Sequence, residues 1–170
     1  AVEHALFFRE VGRQCGPLDV LAQALACHCA QDEVLRAALV SGEQSVALLM
    51  PDVDGHRLIG AADARYGLAV SLERAAIHDL SGAAIEPRPA LDPANSLAVV
   101  SGIGFAAVTS EDARIWQLGQ VGAAAMLLGL AEAALDLIVD YAKVRETFGK
   151  PIGAWQAVRH TCADMAVANE

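Results

Sequence analysis

Aromatic residues are scarce in this sequence: they make up 5% of its 170 residues, whereas 55% of the residues are hydrophobic. A core must therefore be built mainly from small aliphatic side chains, and a chain of this length can bury such a core in one or two compact units. Positive charge is also scarce, because 12 Lys and Arg stand against 21 Asp and Glu, for a formal net charge of −9. Nucleic acid and anionic membrane surfaces are thereby excluded as main partners, since both are negatively charged.

The sequence also lacks a disulfide framework. Its four cysteines are scattered among apolar residues without a paired spacing: Cys15, Cys27, Cys29 and Cys162. Such thiols are usually reduced core residues, and no positively charged segment precedes an apolar run of the kind that directs secretion. We therefore expect the protein to be cytoplasmic.

The longest nearly uncharged run, residues 115–131, contains Gln and Gly and then continues into Glu132, Asp136 and Asp140. A membrane-spanning helix needs about 20 consecutive apolar residues. We therefore predict a helix that is buried in protein, and no membrane span. Because no Glu-x-x-His motif accompanies the three carboxylates, a solvated acidic helix face is favoured over a metal site.

Hydrophobic periodicity predicts three short N-terminal helices, at residues 2–14, 18–30 and 32–39. The pattern then changes to short β-rich runs, at residues 45–50, 66–71, 75–79 and 97–101. Thr109 or Ser110 is the predicted N-cap of a long helix that runs to Val144, and a last helix begins at about Ala154. The long helix has only a narrow polar stripe, so we expect a multi-helix bundle to cover it, completed by another subunit.

The segment that joins the last two helices, residues 145–156, is the most constrained part of the sequence: Arg-Glu-Thr-Phe-Gly-Lys-Pro-Ile-Gly-Ala-Trp-Gln. We call it the elbow. Gly149, Pro151 and Gly153 end one helix and restart the chain before the next. A cation, a hydroxyl, an aromatic ring and an amide beside the N–H groups of a helix start suit a ligand that carries phosphate and a ring.

At these residues the sequence resembles the acyl-CoA dehydrogenase family, which carries a similar Arg-x-x-Phe-Gly-x-x-Ile-x-x-x-Gln elbow in its C-terminal helical domain. The resemblance implies an α+β fold, mainly α with a small β-domain, in which N-terminal helices and a middle β-domain precede a C-terminal helical bundle, here truncated. We accordingly divide the chain into an N-terminal helical segment at residues 1–42, a reduced middle β-domain at 43–106, and the first two helices of the C-terminal bundle at 107–170. A helix pattern that stops at Glu170 without a cap suggests that the chain is a fragment.

The resemblance also implies a bound FAD, with Arg145, Thr147, Phe148 and Gln156 contacting its pyrophosphate and adenosine half, typically from the neighbouring subunit. A desolvated guanidinium gives a charge-assisted phosphate contact worth about 1.5–3 kcal/mol. The structural alternative is that Arg145 only caps a helix C-terminus and that Phe148 and Trp155 belong to the core.

Members of the family remove a proton from the acyl-CoA α-carbon with a glutamate while the β-hydrogen leaves as a hydride to the flavin. In a minority of members that glutamate projects from the long helix, at the position that corresponds to Gly119 here, and the next position, commonly arginine, is Gln120. Glycine cannot abstract a proton, so the catalytic base is unknown from this sequence. The run Val46–Asp52 also lacks the hydroxyl residues of the family's flavin-facing strand.

Three functions remain open at this point, and the first two involve a flavin. In the first, the chain is an acyl-CoA dehydrogenase that forms an α,β-unsaturated thioester and passes electrons to an electron-transfer flavoprotein or a similar acceptor. Alternatively, it is a non-catalytic companion subunit that completes the FAD site of a partner dehydrogenase, as in the steroid-degrading heterotetramers of actinobacteria. Both imply a flavoprotein oxidoreductase of lipid or steroid metabolism, in a homo- or hetero-oligomer and without a metal site. A plain helical interaction domain is the third possibility, and it predicts no flavin.

Overall fold

A computed structural model describes residues 2–53 and 55–170 of the chain. Residues 1 and 54 fall within the first two predicted domains and lie outside the described residues. The chain divides into two units. One runs from Pro17 to Gly122, and the other combines the residues up to Gly16 with Ala123–Glu170.

The helices confirm the sequence prediction to within about two residues. They are α1 Val2–Arg13, α2 Asp19–Cys29, α3 Glu33–Val40, α4 Ala113–Val144 and α5 Gln156–Asn169, with a short 3-10 helix at Ile152–Ala154. Asp32 caps α3 by accepting a hydrogen bond from the Leu35 N–H at 2.8 Å. The predicted cap of α4 is wrong. Thr109 and Ser110 belong to a strand, and Asp112 caps the helix through its carboxylate, which accepts from the Arg114 N–H at 3.0 Å.

The strands are β1 Val46–Asp52, β2 Gly55–Gly60, β3 Tyr66–Val70, β4 Ala75–Asp79, β5 Ala84–Arg88, β6 Ser96–Ser101 and β7 Ala106–Ser110, followed by the short β8 Glu146–Thr147 and β9 Lys150–Pro151. Four of them, β1, β3, β4 and β6, were predicted. The sequence pattern missed β5 because Pro87 and two charged residues hide its alternation, and such a strand is tolerated only at a sheet edge. It missed β2 because a glycine stands at each end of a strand of only six residues.

The first seven strands form one sheet in the order β5-β6-β2-β1-β3-β4-β7, with β5 and β7 at its edges. Only the β1–β3 pair is parallel, with Val46 opposite Tyr66; the other pairs are antiparallel. A register shift between Ile77 and His78 interrupts the β4–β7 pairing. The mixed sheet and the preceding helices confirm the predicted α+β class.

Both faces of the central strands are buried. One face carries an aliphatic cluster with residues from β1, β2 and β6, including Leu49, Leu58 and Val100. Helix α2 packs against β1, β4 and β7 with a stripe of buried residues that includes Leu21 and Leu25. Small aliphatic residues therefore form the core, as the scarcity of aromatics predicts.

Gln23 joins α2 to the start of the sheet. Its side-chain amide donates to the carbonyls of Leu39 and Gln44 at 2.7 and 2.8 Å, and its oxygen accepts from the Val46 N–H at 3.0 Å. Three backbone groups at the end of α3 and the beginning of β1 are thereby satisfied by one side chain of α2.

In the other unit, α1 and α4 approach each other at two glycines. A Cβ atom at Gly12 would overlap the backbone of Met126, and one at Gly129 would overlap the backbone of Arg9. The two helix backbones are therefore in direct contact, which is possible only because these positions carry no side chain.

The acidic face of α4 is paired rather than simply solvated, which corrects the sequence prediction. The Arg9 guanidinium donates two hydrogen bonds to Glu132, at 2.8 and 2.6 Å, and Arg13 donates to Asp136 at 2.8 Å and to Glu132 at 3.4 Å. The Glu132 side chain is only 17% exposed to solvent. The hydrogen bonds from Arg9, opposed by partial desolvation, lower the pKa of Glu132.

Within the described chain α4 is largely exposed, and the prediction that other protein buries it stays a prediction. By length and composition this helix could cross a membrane, and only 17% of its most apolar 18-residue window is buried. Among the exposed residues from Ala123 onward, one set is spaced alternately four and three apart: Ala123, Leu127, Leu130, Ala134, Leu137, Tyr141 and Val144. We call this set the α4 seam. Its seven-residue period is that of a helix that pairs with another helix in a left-handed supercoil.

Candidate cofactor-binding elbow

The elbow contains a tight hairpin that the sequence alone did not predict. Helix α4 ends at Val144, and the Arg145 N–H still donates to the Tyr141 carbonyl at 2.9 Å. The strands β8 and β9 then pair through Thr147 and Lys150. The Ile152 N–H donates back to the Arg145 carbonyl at 2.7 Å and closes the base of the hairpin.

Phe148 and Gly149 form the two-residue turn, with φ angles of 53° and 79°. A positive φ at both central positions characterises a type I′ turn, whose twist matches that of the strands it joins. Glycine adopts this backbone at little cost, but an aromatic residue rarely does. Strained conformations of this kind are enriched at functional sites, where the surrounding structure holds them, and Cys15 just after α1 has a similar φ of 51°.

The four residues assigned to cofactor binding lie together on and beside this hairpin. Arg145 precedes β8, Thr147 lies in β8, Phe148 forms the turn, and Gln156 is the first residue of α5. All four are exposed, and their side chains make no hydrogen bond or ion pair with residues 2–53 or 55–170. The elbow thus presents a guanidinium, a hydroxyl, a phenyl ring and an amide with their binding capacity unused.

The structural alternative for these residues is not supported. Phe148 is 94% exposed, so it is not a core residue, and Trp155 retains 38% of its exposure. The Arg145 side chain makes no hydrogen bond to a carbonyl at the end of α4 within the described part of the chain. The sequence reasoning missed Lys150, whose ammonium lies 3.7 Å from the centre of the Trp155 ring.

The start of α5 suits an anion. The helix begins without a side-chain cap at Trp155 and without an acidic residue in its first turn. Its first N–H groups, which have no partner within a helix, therefore remain available beside Gln156. An uncapped helix start, a free guanidinium and an exposed ring are the groups needed to hold the diphosphate and the adenosine of a dinucleotide.

The position expected for a proton-abstracting glutamate holds a glycine that packs against α2. A Cβ atom on Gly119 would lie 3.3 Å from the end of the Leu25 side chain, a distance tighter than most Cβ contacts. Leu25 itself is buried. A side chain at 119 would require the end of the Leu25 side chain to shift by a few tenths of an ångström, and the neighbouring Gln120 is exposed.

The described residues contain no group of three or more His, Cys, Asp or Glu side chains that could hold a metal ion. Glu132 and Asp136 instead serve as partners of Arg9 and Arg13. All four cysteines are free thiols in the structure. Burial raises the pKa of Cys29, so this thiol is poorly suited to act as a nucleophile.

Comparison with known proteins gives a family match over the C-terminal part of the chain. The family profile described as "Acyl-CoA dehydrogenase, C-terminal domain" matches residues 114–170, which include α4, the elbow and α5. A curated relative, the acyl-CoA dehydrogenase FadE34 of Mycobacterium tuberculosis, is 33% identical over 172 residues, which cover 92% of this chain and 24% of the relative.

Solved structures share the fold over nearly the whole chain. A variant of the Tcur3481–Tcur3483 steroid ACAD aligns with a TM-score of 0.71 at 23% identity, covering 98% of this chain and 56% of that one. The ChsE4–ChsE5 complex from Mycobacterium tuberculosis aligns with a TM-score of 0.69 at 22% identity, with coverage of 98% and 57%. The chain therefore spans about a quarter of the curated relative and somewhat more than half of each structural neighbour.

Proposed function

Because this chain belongs to the acyl-CoA dehydrogenase family, we propose that it forms part of an FAD-dependent enzyme that introduces a double bond between the α- and β-carbons of an acyl-CoA thioester. The observation that carries the proposal is the elbow, whose Arg145, Phe148 and Gln156 are exposed together on one hairpin and the helix after it. FAD, when bound, supplies the hydride acceptor for this reaction.

The elbow's own residues would hold the cofactor by its non-reacting end. Arg145 provides a fixed positive charge and up to five N–H donors for the diphosphate. Thr147 and the uncapped start of α5 add hydrogen-bond donors. Phe148 offers an exposed ring against which the adenine can pack. These residues bind and orient the cofactor, and none of them abstracts a proton.

We propose further that other protein, rather than lipid, covers the α4 seam. The seam repeats with the period of a helical supercoil, and the same helix carries Glu132 and Asp136 in ion pairs with α1. Leaving this apolar surface in water forgoes roughly 25 cal/mol per square ångström. We propose that dehydrogenase subunits of the same family cover it in a homo- or hetero-oligomer, and that the flavin site is shared between those subunits.

With all four cysteines free, we propose a cytoplasmic location, where thiols stay reduced.

A second candidate function is a companion subunit that completes a partner's FAD site without supplying the base. It is favoured by one observation, the glycine at position 119, which supplies no base on α4 and packs close to Leu25. The pairing of two differently named chains in the ChsE4–ChsE5 complex supports the idea by analogy. In both candidates a flavoprotein or similar acceptor would take the electrons.

The test is flavin binding by the intact protein, alone and after co-expression with a neighbouring dehydrogenase chain. We expect a yellow protein whose flavin absorbance bleaches when an acyl-CoA is added. Bleaching by the protein alone identifies a catalytic chain, and bleaching only in the presence of the partner identifies a companion subunit. A protein that takes up no FAD in either form would refute both.

Arg145→Ala provides the residue-level test. Removal of a charge-assisted phosphate contact worth about 1.5–3 kcal/mol should weaken FAD binding roughly 10- to 150-fold. The matched control is Arg74→Ala, an exposed arginine in the turn between β3 and β4 whose side chain has no ion pair within the described residues. Equal flavin occupancy in the two variants would contradict the assignment of Arg145.

A further inference from the structure

Three side chains of the elbow contact one another across the hairpin. The Lys150 ammonium lies 3.7 Å from the centre of the Trp155 ring. The Trp155 and Phe148 rings meet at 6.2 Å between centroids, with an angle of 86° between their planes. The exposed Phe148 ring thus has a neighbour, and that neighbour is itself covered by a cation.

Trp155 is fixed by the backbone around it. It follows the 3-10 helix, donates its N–H to the Ile152 carbonyl at 3.0 Å, and immediately precedes α5. Lys150 is held from the other side, because its backbone pairs with Thr147 in the β8–β9 ladder. The cation–π contact therefore joins the outgoing arm of the hairpin to the start of the next helix.

Phe148 needs such support. Its φ of 53° is unfavourable for an aromatic residue, and a ring that is 94% exposed gains little from burial. Without a neighbour the side chain would sample several rotamers, and the turn could open. An edge-to-face contact with a fixed tryptophan restricts both the ring and the turn.

We infer that Lys150 and Trp155 are positioning residues that hold Phe148 in its ligand-binding conformation before any cofactor arrives. This inference rests on the proposed function in that the ligand is taken to be a ring-bearing dinucleotide. Pre-organisation of this kind raises affinity because the loop is already ordered, so binding does not lose the conformational entropy of ordering it. A cation–π contact at an exposed site corresponds to roughly a two- to fivefold change in an equilibrium constant.

The first test measures the turn without a ligand. Chymotrypsin cleaves after exposed aromatic residues in chains that can open locally, so the rate of cleavage after Phe148 reports the opening of the turn. The fully exposed Phe105, which lies between β6 and β7, supplies an internal reference within the same digest. In the cofactor-free intact protein, Lys150→Met should accelerate cleavage after Phe148 roughly two- to fivefold relative to Phe105.

Matched variants distinguish the contact between Lys150 and Trp155 from the general effect of removing a positive charge. Lys150→Arg preserves a cation over the ring and should restore the slow cleavage. Lys143→Met removes an exposed lysine from the last turn of α4, where it pairs with Asp140 at 2.8 Å, and should leave cleavage after Phe148 unchanged. Trp155→Leu should accelerate cleavage as Lys150→Met does, and the double variant should add little to either single change.

The second test measures FAD dissociation constants of the same variants. Lys150→Met and Trp155→Leu should each weaken binding by about the same factor as they accelerate cleavage, and Lys150→Arg should restore it. If Lys150→Met weakens FAD binding without changing cleavage, Lys150 touches the ligand directly and the inference is overturned. Additive effects of the two changes, or no change in cleavage, would overturn it as well.

The two tests fail independently. If the unaltered protein binds no FAD, the proposed function is lost, whereas the coupling of Lys150 and Trp155 in the cleavage assay still shows whether the pair holds the turn. If FAD binds but the cleavage assay shows no coupling, the proposed function stands and the positioning role is lost.

Discussion

The sheet and the elbow differ in what surrounds their side chains. In the sheet, Leu58, Leu68 and Ile77 are fully buried among residues of the same unit. In the elbow, Arg145, Phe148 and Gln156 are exposed, and none of their side chains forms a hydrogen bond or ion pair with a described residue. The sheet thus stabilises itself, whereas the elbow leaves these groups unpaired within the described residues, and for that reason we propose it as a binding site. Substitutions in the sheet should consequently affect folding, and substitutions in the elbow should affect binding.

The largest expected effect comes from the sheet. Leu68→Ala in β3 removes a fully buried side chain and should lower the free energy of unfolding by about 2–5 kcal/mol. Leu72→Ala is the matched control, since the same residue type four positions later is 68% exposed and should change stability by no more than about 0.5 kcal/mol. Chemical denaturation of both variants measures the difference. Similar losses of unfolding free energy at Leu68 and Leu72 would contradict the claim that the buried side chains of the sheet stabilise it.

A smaller effect is expected where α1 crosses α4. Gly129→Ala places a methyl group against the Arg9 backbone and should lower the free energy of unfolding by about 1–3 kcal/mol. Ala134→Gly provides a contrast on the exposed α4 seam, where the expected loss of about 1 kcal/mol comes only from helix propensity. Thermal unfolding of the two variants, monitored by circular dichroism, shows which of them loses more stability. A Gly129→Ala variant as stable as the unaltered protein would show that the two helices can separate freely.

The smallest effect should depend on pH. Hydrogen bonds from Arg9 lower the pKa of Glu132 in the folded state, so the carboxylate binds protons less readily there than in the unfolded chain. The resulting stabilisation is present at neutral pH and is lost as the pH falls through the folded-state pKa. Glu132→Gln should therefore be less stable than the unaltered protein near neutrality and equal to it in acid. A difference between the two proteins that stays constant across this range would contradict the ion pair.

Much of the fold was predictable because it depends on local patterns. The helices follow from apolar periodicity, and β1, β3, β4 and β6 from short β-rich runs between turn residues. The strands that were missed owe their existence to pairing. The edge strand β5 is held by β6, from Ala84 opposite Ser101 to Arg88 opposite Leu97, although its own sequence is polar and contains Pro87. Such long-range pairing leaves no local signal.

The elbow was predictable in composition but not in conformation. Its glycines and proline indicated a break between two helices, but nothing in the sequence indicated that Phe148 would adopt a positive φ in a two-residue turn. The contact of Lys150 with Trp155 depends on that turn, and so it was also missed. The role of Glu132 was misjudged because its partners lie 119 to 123 positions earlier, in α1.

The pairing of α1 with α4 has a consequence for the order of folding. Arg9 and Glu132 are separated by 123 positions, and every residue of the sheet lies between them. Closing a loop of that length costs more entropy when the intervening chain is disordered than when it has already collapsed. On the ribosome, α1 is made before the sheet, but its partner in α4 follows only after more than a hundred further residues have been added. Helix α1 is therefore among the last of these elements to be fixed in place, and the sheet can form before α1 pairs with α4.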